Sequence, residues 1–314
     1  MKKLFILLLA SAFVFAACSN GNNKTDEPEQ LSGATTTSTT SGNGSGNTGG
    51  GTQTITYIGT KAPGEAKEVG DIVFNDGSAT PYTSDLELTE NQKSAVIAII
   101  FYKGTGLNSD VYGEDSEGNV VWTPGSTTKS RTLGVGLKHG KNLAWCTNSA
   151  NAYNINIKTI QCPHSGTDRA LTFTGDKDGS DNLEQIENYL INNSISNDIE
   201  TAANYPAFYF AKNYSSTAEN LGTAYAAGWY LPTIAELFQI YANGVGDSNV
   251  FDIDAAISLC GGEELRTDYC WSSSQFASTD NNKLAYDFDL VSGPWNDRNK
   301  KENDDYVCAI REFN

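Results

Sequence analysis

The sequence predicts an α+β fold in which short helices precede an antiparallel C-terminal meander. Three observations carry that expectation. Capped segments with apolar residues at helical spacing fall between Asn182 and Cys260. Strand-like segments then follow at Tyr269–Ser273, Leu284–Leu290 and Tyr306–Glu312. A β-branched run at Val96–Phe101 shows that the upstream part also contributes to a sheet.

Taken in order, Asp71–Phe74 reads as a short strand closed by the turn Asn75-Asp76-Gly77. Thr89-Glu90-Asn91-Gln92 fits a capping box and opens a brief helix. Val96–Phe101 reads as a buried strand, with a continuing helix as the alternative, and Thr132–Leu137 is a partner for it. Asn182–Asn192 carries Leu183, Ile186, Tyr189 and Leu190 at helical spacing. Tyr205–Tyr214 is an aromatic helix with Pro206 in its first turn. Thr233-Ile234-Ala235-Glu236 is a second capping box leading to Tyr241, and Asp252–Cys260 is a helix closed by Gly261-Gly262.

The N-terminal residues form an address. Lys2 and Lys3 precede an apolar run from Leu4 to Ala17, which predicts a secretory signal peptide over residues 1–17. Ala16-Ala17 directly before Cys18 resembles the lipobox of bacterial lipoproteins, with Phe15 where Leu is commonest. That resemblance implies acylation of Cys18 and a membrane partner reached through the lipid alone. Residues 18–54 then form a linker: from Ser32 to Thr52, twenty of 21 residues are Ser, Thr, Gly or Asn. A single module occupies 55–314. The expected location is exported, lipid-anchored to the cell envelope, at the outer-membrane surface. The 314 residues contain 38 Asp+Glu against 21 Lys+Arg, a net charge of −17. Losing Lys2 and Lys3 with the leader moves the mature chain to −19, which argues against nucleic acid as a partner.

Three motifs in the C-terminal half, in order, carry a family resemblance. Gly228-Trp229-Tyr230-Leu231-Pro232-Thr233 leads into a helix, Trp271-Ser272-Ser273-Ser274 follows, and the chain ends Val307-Cys308-Ala309-Ile310-Arg311. This order resembles the C-terminal domain of the Legionella collagen-like adhesin over 205–313. Val69–Phe74 and Gly134–His139 resemble treponemal lipoproteins bearing that domain. The resemblance implies a C-type-lectin-like fold and adhesion to a glycan or protein ligand on host or matrix. Trp229, Leu231 and Trp271 themselves read as folding signals and core residues.

Between Asp280 and Asp305, eleven of 26 residues are Asn or Asp, interleaved with Tyr286, Phe288 and Trp295. The plain reading is a solvated hairpin region. The functional reading is a ligand-binding face made of Asp280, Asn281, Asn282, Tyr286, Trp295, Asn296, Asp297, Arg298 and Asn299, with amides and carboxylates bonding hydroxyls and rings stacking on sugar or peptide. Trp295-Asn296-Asp297 also matches the tripeptide through which C-type lectins hold Ca²⁺, making Asn296 and Asp297 candidate calcium ligands, although the upstream lectin triplet is missing. No other cofactor is expected. Sulfated ligands would need a basic patch of Arg298, Lys300 and Lys301 to offset the acidic field.

Beyond Cys18 lie Cys146, Cys162, Cys260, Cys270 and Cys308, an odd number in an exported chain. The preferred pairs are Cys146–Cys162 and Cys260–Cys308; Cys270–Cys308 and five free thiols are the alternatives. Enzyme signatures are weak: there is no G-x-S-x-G or P-loop, and His139 and His164 read as satisfied residues. The expected function is non-catalytic ligand binding by a tethered module. The alternatives are a structural lipoprotein contacting another envelope protein and, remotely, a formylglycine-generating type of enzyme using Cys270 and Cys308.

Overall fold

The computed structural model describes residues 55–126, 128–167, 170–244, 251–265, 269–278, 281–293 and 299–313. The chain forms β1 (Asp71–Phe74) and β2 (Ala79–Pro81), then α1 (Glu90–Ala95) running directly into β3 (Val96–Gly104). A hairpin of β4 (Val111–Glu114) and β5 (Val120–Thr123) precedes the long β6 (Arg131–Ala144). The small pair β7 (His164–Ser165) and β8 (Thr172–Phe173) is followed by α2 (Asn182–Asn192), α3 (Pro206–Lys212) and α4 (Gly222–Tyr225). Then come β9 (Trp229–Tyr230), α5 (Ile234–Gly244) and α6 (Ile253–Leu259). The chain closes with β10 (Tyr269–Gln275), β11 (Leu284–Asp289), β12 (Asn299–Lys300) and β13 (Asp304–Glu312).

Nine strands make one mixed sheet in the order β12-β11-β10-β13-β6-β3-β1-β2, with β9 also on β13. This corrects the expected fold class. The sheet begins at Asp71, before any helix, and β6 and β3 lie beside the C-terminal strands. The tail is no meander, because β13 inserts between β10 and β6, parallel to β10 at Cys270↔Tyr306 and antiparallel to β6. The C-type-lectin-like fold that the family resemblance implied is corrected with it: the chain forms a nine-stranded mixed sheet with β13 between β10 and β6. The segment 205–313 shares its sheet with the residues before it, since β13 pairs with β6.

Both faces of the sheet are covered. Along β3, Val96, Ile99 and Phe101 join one apolar cluster, with α5 and α6; Ile97, Ala98 and Ile100 join the other, with α2, α3, Trp145 and Trp271. A strand buried on two faces reads as a continuous apolar run, which is why Val96–Phe101 shows no alternation. Thr89 caps α1 through the predicted box, its hydroxyl accepting from Gln92 N at 3.2 Å while Gln92 Oε1 accepts from Thr89 N at 3.0 Å. At Gly136 there is no room for a side chain, since a Cβ would come within 2.7 Å of Tyr214 Cε1.

The two expected disulfides are absent: Cys146, Cys162, Cys260, Cys270 and Cys308 are free and buried. Cys146 and Cys162 belong to the apolar clusters on opposite faces of the sheet, so they cannot meet. Cys308 is faced not by Cys260 but by Cys270 on the neighbouring strand, Sγ to Sγ 3.6 Å. Burial pushes the thiols of Cys146 and Cys260 up to about 12. Among the described residues, no helix is long and apolar enough to cross a membrane.

Candidate functional site

The loop from Gly175 to Asp181, between β8 and α2, is fastened to the sheet by a buried charge network. Arg131 opens β6 and is 1% exposed. Its Nη2 donates to Glu236 Oε1 (2.9 Å), Tyr230 hydroxyl (2.7 Å) and Asp178 Oδ1 (2.8 Å), and Nη1 donates to Leu107 O (3.0 Å). Glu236 is the N3 residue of the capping box on α5. Its Oε2 accepts from Thr233 N at 2.8 Å and from Gly179 N at 3.2 Å. Burial outweighs the attraction of Arg131 and pushes the Glu236 carboxyl up to about 7. Burial also opposes the Arg131 charge, but Glu236, Tyr230, Asp178 and Glu312 more than restore it.

Above this network lies a cleft of about 420 Å³. One wall is the 108–110 loop, Asn108-Ser109-Asp110; another is Asp176, Asp178 and Asp181; Tyr112 and Trp122 of the β4–β5 hairpin close a third. Ser109 is the hinge between the first two. Its hydroxyl donates to Asp176 Oδ1 (2.7 Å) and accepts from Lys177 N and Asp178 N (3.0 Å each). Asp110 Oδ2 accepts from Gly175 N (2.8 Å) and its Oδ1 from Lys177 Nζ (3.1 Å). The Trp122 indole lies against bare backbone at Gly175, where φ is +101° and a Cβ would sit 3.0 Å from Trp122 Cε2. Tyr112 stacks edge-on against Trp122 at 5.5 Å and donates to Glu114. Burial, with that bond second, pushes its hydroxyl up to about 12.

Asp176 differs from its neighbours. It is 3% exposed, and its Oδ2 has no hydrogen-bond partner among the described residues. Burial pushes this acid well above the ordinary carboxylate range, against the Ser109 bond. A rigid cleft with two rings, several amide and hydroxyl groups and one unspent carboxylate oxygen suits recognition of a small polar or charged group.

The predicted binding face is placed differently. Asp280, Trp295, Asn296, Asp297 and Arg298 lie outside the described residues, which therefore include neither calcium candidate. Tyr286 is not a surface ring. It is 3% exposed, packed on Phe276 (5.2 Å) and His164 (5.9 Å), because its place on β11 faces the apolar cluster. Asn281 shapes the β10–β11 turn, accepting from Lys283 N at 3.0 Å. Asn282 offers its carbonyl to Gln275 Nε2 at 3.0 Å, and Asn299 donates to Asp305 at 3.2 Å. Lys301, expected in a basic patch, is fully buried instead. Its Nζ donates to the carbonyls of Ala152 (3.1 Å), Tyr153 (3.3 Å) and Ile155 (3.2 Å) and lies 4.9 Å from the Trp145 ring. Burial pulls its pKa down to about 8.

Sequence reasoning missed the cleft. Its one local signal is the acidic run Asp176-Lys177-Asp178-Gly179-Ser180-Asp181 after Gly175. Tyr112 and Trp122 lie more than fifty residues away from that run, and only the fold brings them to it.

No protein-family model and no curated protein matches the chain. Among solved structures, the chain is similar to a fimbrial protein from Bacteroides ovatus, at TM-score 0.47 and 17% identity, over 79% of this chain and 49% of the other. It therefore spans about half the length of that protein.

Proposed function

We propose that this chain is a lipid-anchored cell-envelope protein whose module, tethered through Cys18 and the 18–54 linker, binds an extracellular ligand without transforming it. The observation that supports binding is the preformed cleft walled by Tyr112, Trp122 and the 176–181 loop. Its polar groups are held in place by bonds to Ser109 and Arg131, so ligand does not have to order them. The test is a glycan and matrix-peptide array probed with the full-length chain and with Trp122→Ala. Binding lost on substitution supports the reading; binding indifferent to Trp122 would sink the cleft as the site. Cys18→Ser should move the protein from the membrane to the soluble fraction, and a variant that stays membrane-bound would remove the lipid anchor.

A further inference from the structure

The charges around the cleft do not balance. Asp110 is met by Lys177 at 3.1 Å and Asp178 by Arg131 at 2.8 Å. Arg131 is already shared with Glu236, and its Nε also faces Glu312 at 3.8 Å. Asp176 and Asp181 have no cationic partner among the described residues; Asp181 Oδ1 accepts only from Gln185 Nε2, at 2.9 Å. A buried carboxyl oxygen left unbonded costs free energy, so Asp176 Oδ2 holds bonding capacity that the described residues do not use, and it becomes an acceptor without a donor once the acid ionises. Beside it stand the two rings, and aromatic faces next to carboxylates attract cations that carry N–H donors on an apolar frame.

We propose that the cleft takes an organic cation, a primary ammonium or guanidinium group, whose charge is met by Asp176 and Asp181 with Trp122 and Tyr112 as its apolar wall. This rests on reading the cleft as the ligand site and adds the ligand's chemical class. The same chemistry has two sources, a free amine such as a polyamine or a Lys or Arg side chain of a peptide. A cation against Asp176 Oδ2 favours the ionised acid, so binding releases a proton and tightens as pH rises. Ser109, Asp178, Asp181, Glu236 and the buried Cys162 thiol are the polar and titratable groups that act on that carboxyl and set its response.

The experiment is calorimetric titration of the full-length chain in detergent with N-acetyl-lysine methylamide, N-acetyl-arginine methylamide, spermidine, neutral N-acetyl-norleucine methylamide, calcium chloride and a neutral oligosaccharide. The charged probes should bind and the norleucine probe should not. Asp176→Asn, which keeps the acceptor for Ser109, should weaken binding at least tenfold while the melting temperature holds or rises. Trp122→Ala should weaken it roughly fivefold, and Glu219→Gln, an exposed acid outside the cleft, should change nothing. Saturation by spermidine alone assigns a free polyamine; saturation by the lysine or arginine probe assigns a protein side chain. Oligosaccharide binding that Trp122→Ala abolishes, without amine binding, overturns the cation and leaves the cleft standing. Calcium binding lost in Asp176→Asn, without amine binding, also overturns it. A lower melting temperature with unchanged amine binding in Asp176→Asn would show Asp176 to be structural. If no probe binds, both this inference and the cleft as the ligand site fall.

Discussion

Two regions of this molecule each bury a cation, and they treat it in opposite ways. Beneath the cleft, Arg131 meets two carboxylates within hydrogen-bond distance and remains charged. In the C-terminal turn, Lys301 meets no carboxylate at such distance among the described residues; three carbonyls and the Trp145 ring face it, and burial lowers its pKa to about 8. Around Lys301 and the neighbouring turns, side-chain polarity is largely turned inward: Asn281 closes a turn, Asn299 bonds Asp305 and Tyr286 packs in the core. Each region leaves an acceptor over, Glu302 Oε2 in the turn and Asp176 Oδ2 beside the cleft, but Asp176 lines the cleft. Richness in Asn and Asp marks where polar groups are; leftover bonding capacity in the wall of a cleft marks where a ligand belongs.

The largest effect should come from breaking the paired cation. Arg131→Met leaves Glu236 buried without its partner and should cost about 3–5 kcal/mol in urea unfolding. Adding Glu236→Gln should recover part of that loss. Strict additivity of the two would show that the pair is not coupled.

Glu236 supplies the next contrast, read by pH. Its folded pKa of about 7 lies above the ordinary 4.5, so between those values the folded chain holds more protons than the unfolded chain. The stability it contributes is full below pH 4.5 and is lost as pH rises through about 7. Glu236→Gln should flatten that part of the melting-temperature profile; an unchanged slope would assign it elsewhere. Lys301 gives a rise at the alkaline end. Between about pH 8 and its ordinary 10.5 the folded chain carries fewer protons than the unfolded one, so stability rises with pH across that window. Lys301→Met should abolish the rise and, because the buried charge is itself unfavourable, cost only about 1 kcal/mol at neutral pH. A loss as large as that of Arg131→Met would erase the distinction between the two regions. Smallest of all, Asn281→Ala should shift stability by about 0.5 kcal/mol or less and leave cleft binding intact.

Much of the local structure was legible in the sequence, for local reasons. The Thr89 and Thr233 capping boxes, Pro206 in a first turn and the spacing of Ile186 and Leu190 each act within a few residues, and each fell where it was read. Pairing order was not legible. Nothing within Tyr306–Glu312 says that its neighbours are Leu133–Gly140 and Cys270 rather than the preceding strand. The β4–β5 hairpin was missed because both of its strands are short and largely solvated, with half-buried Tyr112 and Trp122 as their only rings. The binding face was sought where polarity is densest in sequence. The cleft instead gathers Ser109, Trp122 and Asp176, which meet only in three dimensions. Lys301 shows the same limit: one basic residue in an acidic, Asn-rich stretch gives no cue that it is the buried one.

The position of β13 also sets a clock. Until residue 304 has emerged, the sheet exists as two unjoined parts, β12-β11-β10 and β6-β3-β1-β2, because the strand between them is the last one made. A chain built vectorially therefore cannot close this sheet until 304–312 has been made.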